Sequence, residues 1–422
     1  MTDPAPTPPR VAIVAEHASA RFGGEAILPL HWFRELRKRG VEAWLVVHAR
    51  TRAELEVVFA ADRDRLHFVP DTWVNKFLWR LGRVLPHQLD LVTFNALSHV
   101  YTQARARRIA RRLIAEHGVN VVHQPIPVSP KEPSLMVGLG VPVVIGPLNG
   151  NMDWPAAFAH LESRFARLAL AASRVVAGVL NRVFPGKLRA DAVLVANERT
   201  RAGLPRGVRG QVIVLPENGV DLGLWQATAS ARASDGPLRV AFLGRLSVVK
   251  GLPYLLQALA RTKDVHLAIL GDGEERARLE QLARTLGVAE RVTFTGWLTQ
   301  AEAAARLAAA DALVLPSLRE CGGAVMLEAM ALGLPVIATA WGGPLDYVDA
   351  TTGILVPPTD EATFVQGLAD ALQRLAGDPK LRARLGAAGR ARVERDFDWA
   401  RKTDAMLAIY AGVRTESGVA GR

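Results

Sequence analysis

One cysteine, Cys321, serves the whole 422-residue chain, which excludes an internal disulfide and any cysteine cage for zinc and fits a reducing compartment. No His or Asp neighbour stands ready to activate it as a nucleophile. No apolar run reaches the roughly eighteen residues a membrane-spanning helix needs, and Met1 to Arg10 is proline-rich without the apolar core of a signal peptide. The expectation is a protein made and kept in the cytoplasm. Only two D-x-D strings occur, Asp62-Arg-Asp64 and Asp396-Phe-Asp398. Neither follows a strand in the way a metal-dependent transferase would need, so both read as solvated charges and no metal site is expected. Acidic residues are scarce in one half only. Residues 1–215 hold 29 Lys and Arg against 17 Asp and Glu, while residues 216–422 hold 23 against 24. Such a surplus suggests an anionic partner, a membrane surface or nucleic acid. An arginine-rich soluble protein from a GC-rich genome accounts for part of the same surplus.

What is present is alternation. Apolar runs at 11–15, 43–47, 119–123, 141–145 and 192–196, separated by helix-length segments, predict a parallel sheet. The pattern restarts at 238–243, 265–270, 292–295, 312–315 and 336–339, with helices expected at 252–262, 274–286, 301–309 and 324–332. The length favours two domains. The expected fold class is therefore α/β, two Rossmann-like doubly wound domains facing across a cleft. The boundaries are 1–215, 216–397 and a terminal segment 398–422, with the hinge near Pro216 and helices at 361–376, 379–395 and 398–412. Ligands of open α/β sheets sit at the carboxyl ends of the strands, and the chemistry-bearing residues fall there.

The segment Pro316–Gly343 is the most informative. Glu328 lies in an apolar helix whose residues three and four positions away are Ala324, Val325, Ala331 and Leu332, so no cation on its own helix pairs with it. A carboxylate on a largely buried helix needs a hydrogen-bonding partner to stay charged, and a ligand hydroxyl would serve. Gly322-Gly323 leaves backbone N–H groups bare at the start of that helix, where a phosphate is held. The site is expected to bind something polyhydroxylated and anionic. The strand 238–243 runs into Gly244-Arg245-Leu-Ser-Val-Val-Lys250-Gly251, which brings two cations suited to a diphosphate to the mouth of the same domain. Read alone, that string is a surface loop with solvated charges. Gly271-Asp-Gly273 read alone is a tight strand-to-helix turn.

Taken together, the G-R-L-x-x-x-K-G string, Gly271-Asp-Gly273 and Glu320-x7-Glu328-Ala-Met resemble the retaining GT-B glycosyltransferases of family 4. Pro216-Glu-Asn218-Gly-Val-Asp221 resembles that family's P-N-G-V-D string with Glu217 inserted, and Asp398-Trp399 through Tyr410 resembles its terminal helix crossing back to the first domain. The resemblance implies transfer of a hexose from a nucleoside diphosphate sugar, UDP- or GDP-linked, with no cofactor or metal, to a glycan or lipid-linked acceptor in polysaccharide biosynthesis. It implies that Arg245 and Lys250 neutralise the leaving diphosphate, with amides around Gly322, Gly323 and Ala324 and the close backbone at Gly244. It gives Glu328 the ribose hydroxyls, Glu320 the hydroxyls of the transferred sugar, and main-chain groups near Trp297 and Leu298 the base. The indole of Trp297 is either a stacking face or a core residue. Gly23-Gly24 resembles the family's glycine loop near the donor phosphates. His123 resembles the histidine placed beside the donor sugar, although the usual H-x-H is here His123-Gln-Pro, and a lone His after a buried strand is otherwise a structural residue. Glu16 and His17 are weaker candidates near the same cleft.

On the acceptor side, Phe158, Leu161, Phe165, Leu168, Val175, Val179 and Val183 fall at helical spacing within 156–184, among Arg164, Arg167, Arg174 and Arg182 with only Glu162 opposing. This predicts a basic amphipathic helix suited either to peripheral contact with an anionic membrane or to packing on its own domain. Trp73 to Arg83 adds aromatic and basic residues of interfacial type. A nucleic-acid-binding protein is the rival from another class, on the strength of Arg105, Arg107, Arg108, Arg111 and Arg112, but no aromatic interleaving or recognised motif supports it. A nucleotide-sugar epimerase or a phosphorylase would keep the fold, the latter needing a lysine for pyridoxal phosphate for which no motif stands out.

Overall fold

The computed structural model describes residues 8–21, 24–84, 93–162, 176–226 and 236–420. The chain divides into two compact units, the first Met1–Asn151, Arg164–Glu217 and Lys402–Arg422, the second Met152–Ser163 and Asn218–Arg401. Each is a wholly parallel sheet with helices.

In unit 1 the strands are β1 (Arg10–Val14), β2 (Glu42–His48), β3 (Leu66–Val69), β4 (Val121–Gln124), β5 (Val143–Leu148), β6 (Ala192–Val195) and β7 (Gln211–Val214). They lie in the order β3-β2-β1-β4-β5-β6-β7, so the order reverses between β1 and β4. The central strands are largely apolar and buried on both faces, as a helix-covered parallel sheet requires, with His123 and Gln124 the buried polar residues at the end of β4. The helices are α1 (Leu28–Lys38), α2 (Arg52–Val58), α3 (Trp73–Gly82), α4 (Phe94–His117) and α5 (Glu198–Ala202). Pro29 opens α1 and Arg37 and Lys38 close it, each at the end its chemistry suits. From Lys402 onward the C-terminal helix Trp399–Ala420 belongs to unit 1, where Met406, Tyr410 and Val413 are buried.

In unit 2 the strands are β8 (Leu238–Leu243), β9 (Val265–Leu270), β10 (Val292–Gly296), β11 (Ala312–Leu315), β12 (Val336–Thr339) and β13 (Gly353–Val356), ordered β10-β9-β8-β11-β12-β13. Here the reversal lies between β8 and β11. The helices are α6 (Leu252–Ala260), α7 (Arg276–Thr285), α8 (Gln300–Ala308), α9 (Ala324–Ala331), α10 (Pro344–Tyr347), α11 (Glu361–Gly377) and α12 (Pro379–Asp396).

The predicted central strands and helices are present to within a few residues, whereas β3, β7 and β13 have no counterpart in the sequence reading. The helix expected over 156–184 is not continuous. Ala156–Leu161 is a 3₁₀ turn that ends in extended backbone at Glu162, and residues 176–183 are helical. Phe158 is drawn into the core of unit 2, edge-on to Tyr254 at 5.2 Å and to Phe364 at 5.7 Å. Residues 163–175, with Phe165, Leu168 and Val175, lie outside the described residues.

Candidate functional site

At the reversal point of unit 2, β8 and β11 both run into glycine-bearing loops. The two loops are stitched together, the Leu318 N–H donating to the Val249 carbonyl at 2.9 Å. Gly251 turns the chain into α6 at φ +66°, and a Cβ there would overlap the Pro316 carbonyl oxygen, so both conformation and space require glycine. This close approach sets Lys250 against Glu320, Nζ to Oε2 at 2.5 Å, with the side chains 20% and 13% exposed. On the far side the Gly343 N–H donates to the Glu320 carbonyl at 2.7 Å. Two strand-end loops and a third from β12 therefore hold one ammonium–carboxylate pair in place.

Beyond Glu320, Gly323 begins α9 at φ +84° without any side-chain cap. A Cβ on Gly323 would meet Met326 Cε at 2.7 Å and Glu320 Cγ at 3.1 Å. The Met326 N–H closes the first turn on the Gly323 carbonyl at 3.0 Å, and among the described residues the Ala324 and Val325 N–H groups ahead of it are left to solvent or to a ligand. One turn further, Glu328 sits among the buried Met326, Leu327, Ala329 and Met330. Desolvation pushes its carboxyl up to about 7, and among the described residues nothing bonds to it. Two buried hydroxyls that sequence reasoning missed lie at the same strand ends. Ser317 and Thr339 are fully buried, and neither hydroxyl has a hydrogen-bond partner among the described residues. Unpaired buried polar groups are costly unless something satisfies them. Their residue types carry no signal; only their places after β11 and at the end of β12 could have marked them.

The remaining predicted residues of unit 2 are more dispersed. Arg245 is 72% exposed and turned to Glu274 at 3.1 Å, while Gly244 donates its N–H to Leu270 at 3.0 Å. Gly271-Asp-Gly273 packs backbone to backbone on Gly244 to Leu246, where a Cβ on either glycine would collide with main chain. Trp297 is 63% exposed, so it is no core residue, and Leu298 is half-buried against the unit 2 core. Cys321 is partly exposed and in no disulfide. Among the described residues no group of three or more His, Cys, Asp or Glu side chains gathers to hold a metal ion.

In unit 1, Gly24 starts a 3₁₀ turn at φ +66°, and Gly23 lies outside the described residues. His123, at the end of β4, is fully buried. Its Nε2 bonds the Gly146 carbonyl at 2.7 Å and its Nδ1 pairs with the Tyr410 hydroxyl at 2.7 Å. Burial pushes its pKa down to about 4, so the ring is neutral. It donates from Nε2 and accepts the Tyr410 proton at Nδ1, and neither nitrogen is left over for a ligand. These are the partners of a structural histidine.

Residues 226–392 match the family model described as glycosyl transferases group 1. The chain is 30% identical over 443 residues to D-inositol 3-phosphate glycosyltransferase of Xylanimonas cellulosilytica, with 96% of each chain covered. The chain belongs to the group 1 glycosyltransferases. This group 1 chain is also 38% identical over 179 residues to the lipopolysaccharide core biosynthesis glycosyltransferase LpsE of Rhizobium meliloti, covering 42% of its own length and 51% of the relative's. With several of its curated relatives it thus shares about half of their length. Its fold is shared by HepE of Anabaena, solved with UDP, at a TM-score of 0.66 and 19% identity over 96% of this chain and all of that one. Both units are Rossmann-like, as in GT-B glycosyltransferases.

Proposed function

We propose that this chain is a retaining glycosyltransferase of family 4 type that moves a hexose from a UDP- or GDP-linked sugar to a glycan or lipid-linked acceptor in the assembly of a cell-surface glycan. The observation that carries the reading is the Lys250–Glu320 pair beside the uncapped start of α9. Breaking the anomeric C–O bond puts negative charge on the departing diphosphate and positive charge on the sugar, and preorganised cations and N–H dipoles lower that barrier. In this reading the Lys250 ammonium leaves Glu320 for the diphosphate, joined by the amides at 322–324 and by Arg245 swung from Glu274. Glu320, released, accepts from hydroxyls of the transferred sugar. Glu328 accepts from the ribose, and Trp297 and Leu298 border the base. No step needs a divalent metal. The UDP bound by HepE and the names of the two curated relatives support the donor and acceptor classes.

Peripheral contact of the basic first half with an anionic membrane at its cytoplasmic face belongs to the same proposal. Among the described residues no helix is long and apolar enough to cross a membrane, while Trp73, Phe77 and Trp79 stand exposed on α3 among Lys76, Arg80 and Arg83. Turnover of UDP- and GDP-sugars in the presence of EDTA, with the product's anomeric configuration read by NMR, tests the core reading. Retention of configuration without metal is expected. An inverted product, or free sugar released at full rate without any acceptor, would refute it.

A further inference from the structure

Residues Met152–Ser163 belong to unit 2 although the chain on either side of them belongs to unit 1. The segment is a strap, and one side chain anchors it. Phe158 is fully buried and meets Tyr254 of α6 and Phe364 of α11 edge-on, while those two rings meet each other at 5.9 Å. Three rings from three separate parts of the sequence thus close a triangle, in the edge-to-face geometry that aromatic pairs favour. Trp154, Ala157 and Leu161 lie partly buried against the same core. No step of the donor chemistry above uses the strap.

Both ends of the strap reach the loops around Glu320. At its start, the Asp153 carbonyl accepts the Trp341 indole N–H at 3.0 Å. Beside it, Met152 fills the space over Gly342, whose φ is +71°, and a Cβ on Gly342 would meet Met152 Cε and Sδ as well as the Glu320 carbonyl oxygen. That carbonyl accepts the Gly343 N–H at 2.7 Å, so Met152 and Asp153 bear on the very loop that fixes the Glu320 main chain. At the other end, Glu162 Oε1 stands 3.6 Å from Arg319 Nη1, the side chains 13% and 35% exposed, and Arg319 directly precedes Glu320. Glu320 is braced on both sides. The bracing matters because its carboxylate must part from Lys250 and meet a sugar, and a side chain swings to a defined place only from a main chain that holds still. A partly exposed ion pair is a weak brace by itself, but here the Phe158 anchor and the indole hydrogen bond hold the same segment.

We propose that the strap positions Glu320 for the transferred sugar, with Glu162, Arg319 and Trp341 as positioning residues and Phe158 as the anchor. The inference rests on the glycosyltransferase reading above, in which Glu328 and the amides at the start of α9 hold the nucleoside diphosphate while Glu320 holds the sugar. The two halves of the donor can therefore be measured apart. Calorimetric titration of the full chain with UDP, GDP and ADP reads the first. Nucleoside diphosphate released from UDP-, GDP- and ADP-hexoses, into water and into mixed glycan acceptors, reads the second. Glu162→Ala, Arg319→Ala and Trp341→Phe, all on side chains at least partly exposed, should each lower the rate of release at saturating donor at least about fivefold. Affinity for the bare nucleoside diphosphate should stay within about twofold of the parent. Reversing the pair, Glu162→Arg together with Arg319→Glu, should recover most of the lost rate, which a merely damaged loop would not do. Full rate in the single variants, nucleoside diphosphate affinity falling in step with the rate, or a reversed pair no better than either single variant overturns the inference. If the parent binds and turns over a donor and the variants match it, only the strap's role falls. If none of the three nucleotides binds the parent, the donor reading falls and takes the strap's role with it.

Discussion

The carboxyl of Glu328 is held up to about 7 by desolvation, and this has two measurable consequences. A carboxyl with a higher pKa folded than unfolded binds a proton in the native chain that the unfolded chain has lost. Stability therefore falls as pH rises from the unfolded value near 4.5 to about 7, and levels off above that. The loss at pH 8 is on the order of 2–3 kcal/mol, so Glu328→Gln should melt higher than the parent at pH 8 and match it at pH 5. Calorimetric melting across that range checks this. A ligand hydroxyl donates to the ionised form, so nucleoside diphosphate affinity should rise through pH 7 in the parent and lose that rise in Glu328→Gln. Lys250 makes a different prediction, because its ammonium is committed to Glu320 at 2.5 Å. Lys250→Ala should lower turnover about 10²–10³-fold, as removal of one preorganised donor does, while its melting temperature moves by only a few degrees. A variant with full turnover would remove Lys250 from the chemistry.

Between elements, glycine is the determinant. Gly251→Ala places a Cβ on the Pro316 carbonyl in a left-handed conformation. It should cost at least about 2 kcal/mol and displace Lys250 from Glu320. Denaturant melts and the kcat of the same sample check both effects together. In unit 1, loss of the His123 ring leaves the Tyr410 hydroxyl and the Gly146 carbonyl without their partner. His123→Ala should destabilise by about 2–4 kcal/mol, and His123→Gln should recover part of that. A fall in kcat with unchanged stability would instead return His123 to the donor site. The central strands and most helices were legible because apolar runs at sheet and helix spacing mean burial wherever they occur. Strands β3, β7 and β13 were not, being four residues each with half-exposed patterns at or near sheet edges. The 156–184 segment misled because apolar spacing records that Phe158 is buried and not which core buries it. Glu320, Glu328 and Lys250 could be picked out by residue type. The 2.5 Å pairing of Lys250 with Glu320 could not, since seventy residues separate them and only the folded approach of two strand-end loops brings them together. Ser317 and Thr339 stayed hidden because a serine and a threonine carry no signal by type, and only burial at the strand ends sets them apart.

Across the whole chain the excess positive charge belongs to residues 1–215, and exposed aromatics accompany it on α3. Flotation with anionic vesicles should carry the protein upward at low salt and release it as salt is raised, with Trp73→Ala and Trp79→Ala weakening the association. Protein left at the bottom of the gradient at low salt would exclude the membrane contact. The central claim is that unit 2 grips a nucleoside diphosphate sugar through its strand-end loops, and binding tests it most directly. Titration of the metal-free protein with UDP-, GDP- and ADP-sugars should give saturable binding to one of them, lost in Glu328→Ala and weakened in Lys250→Ala. Equal affinity in the parent and both variants, or no binding to any of the three, would contradict it.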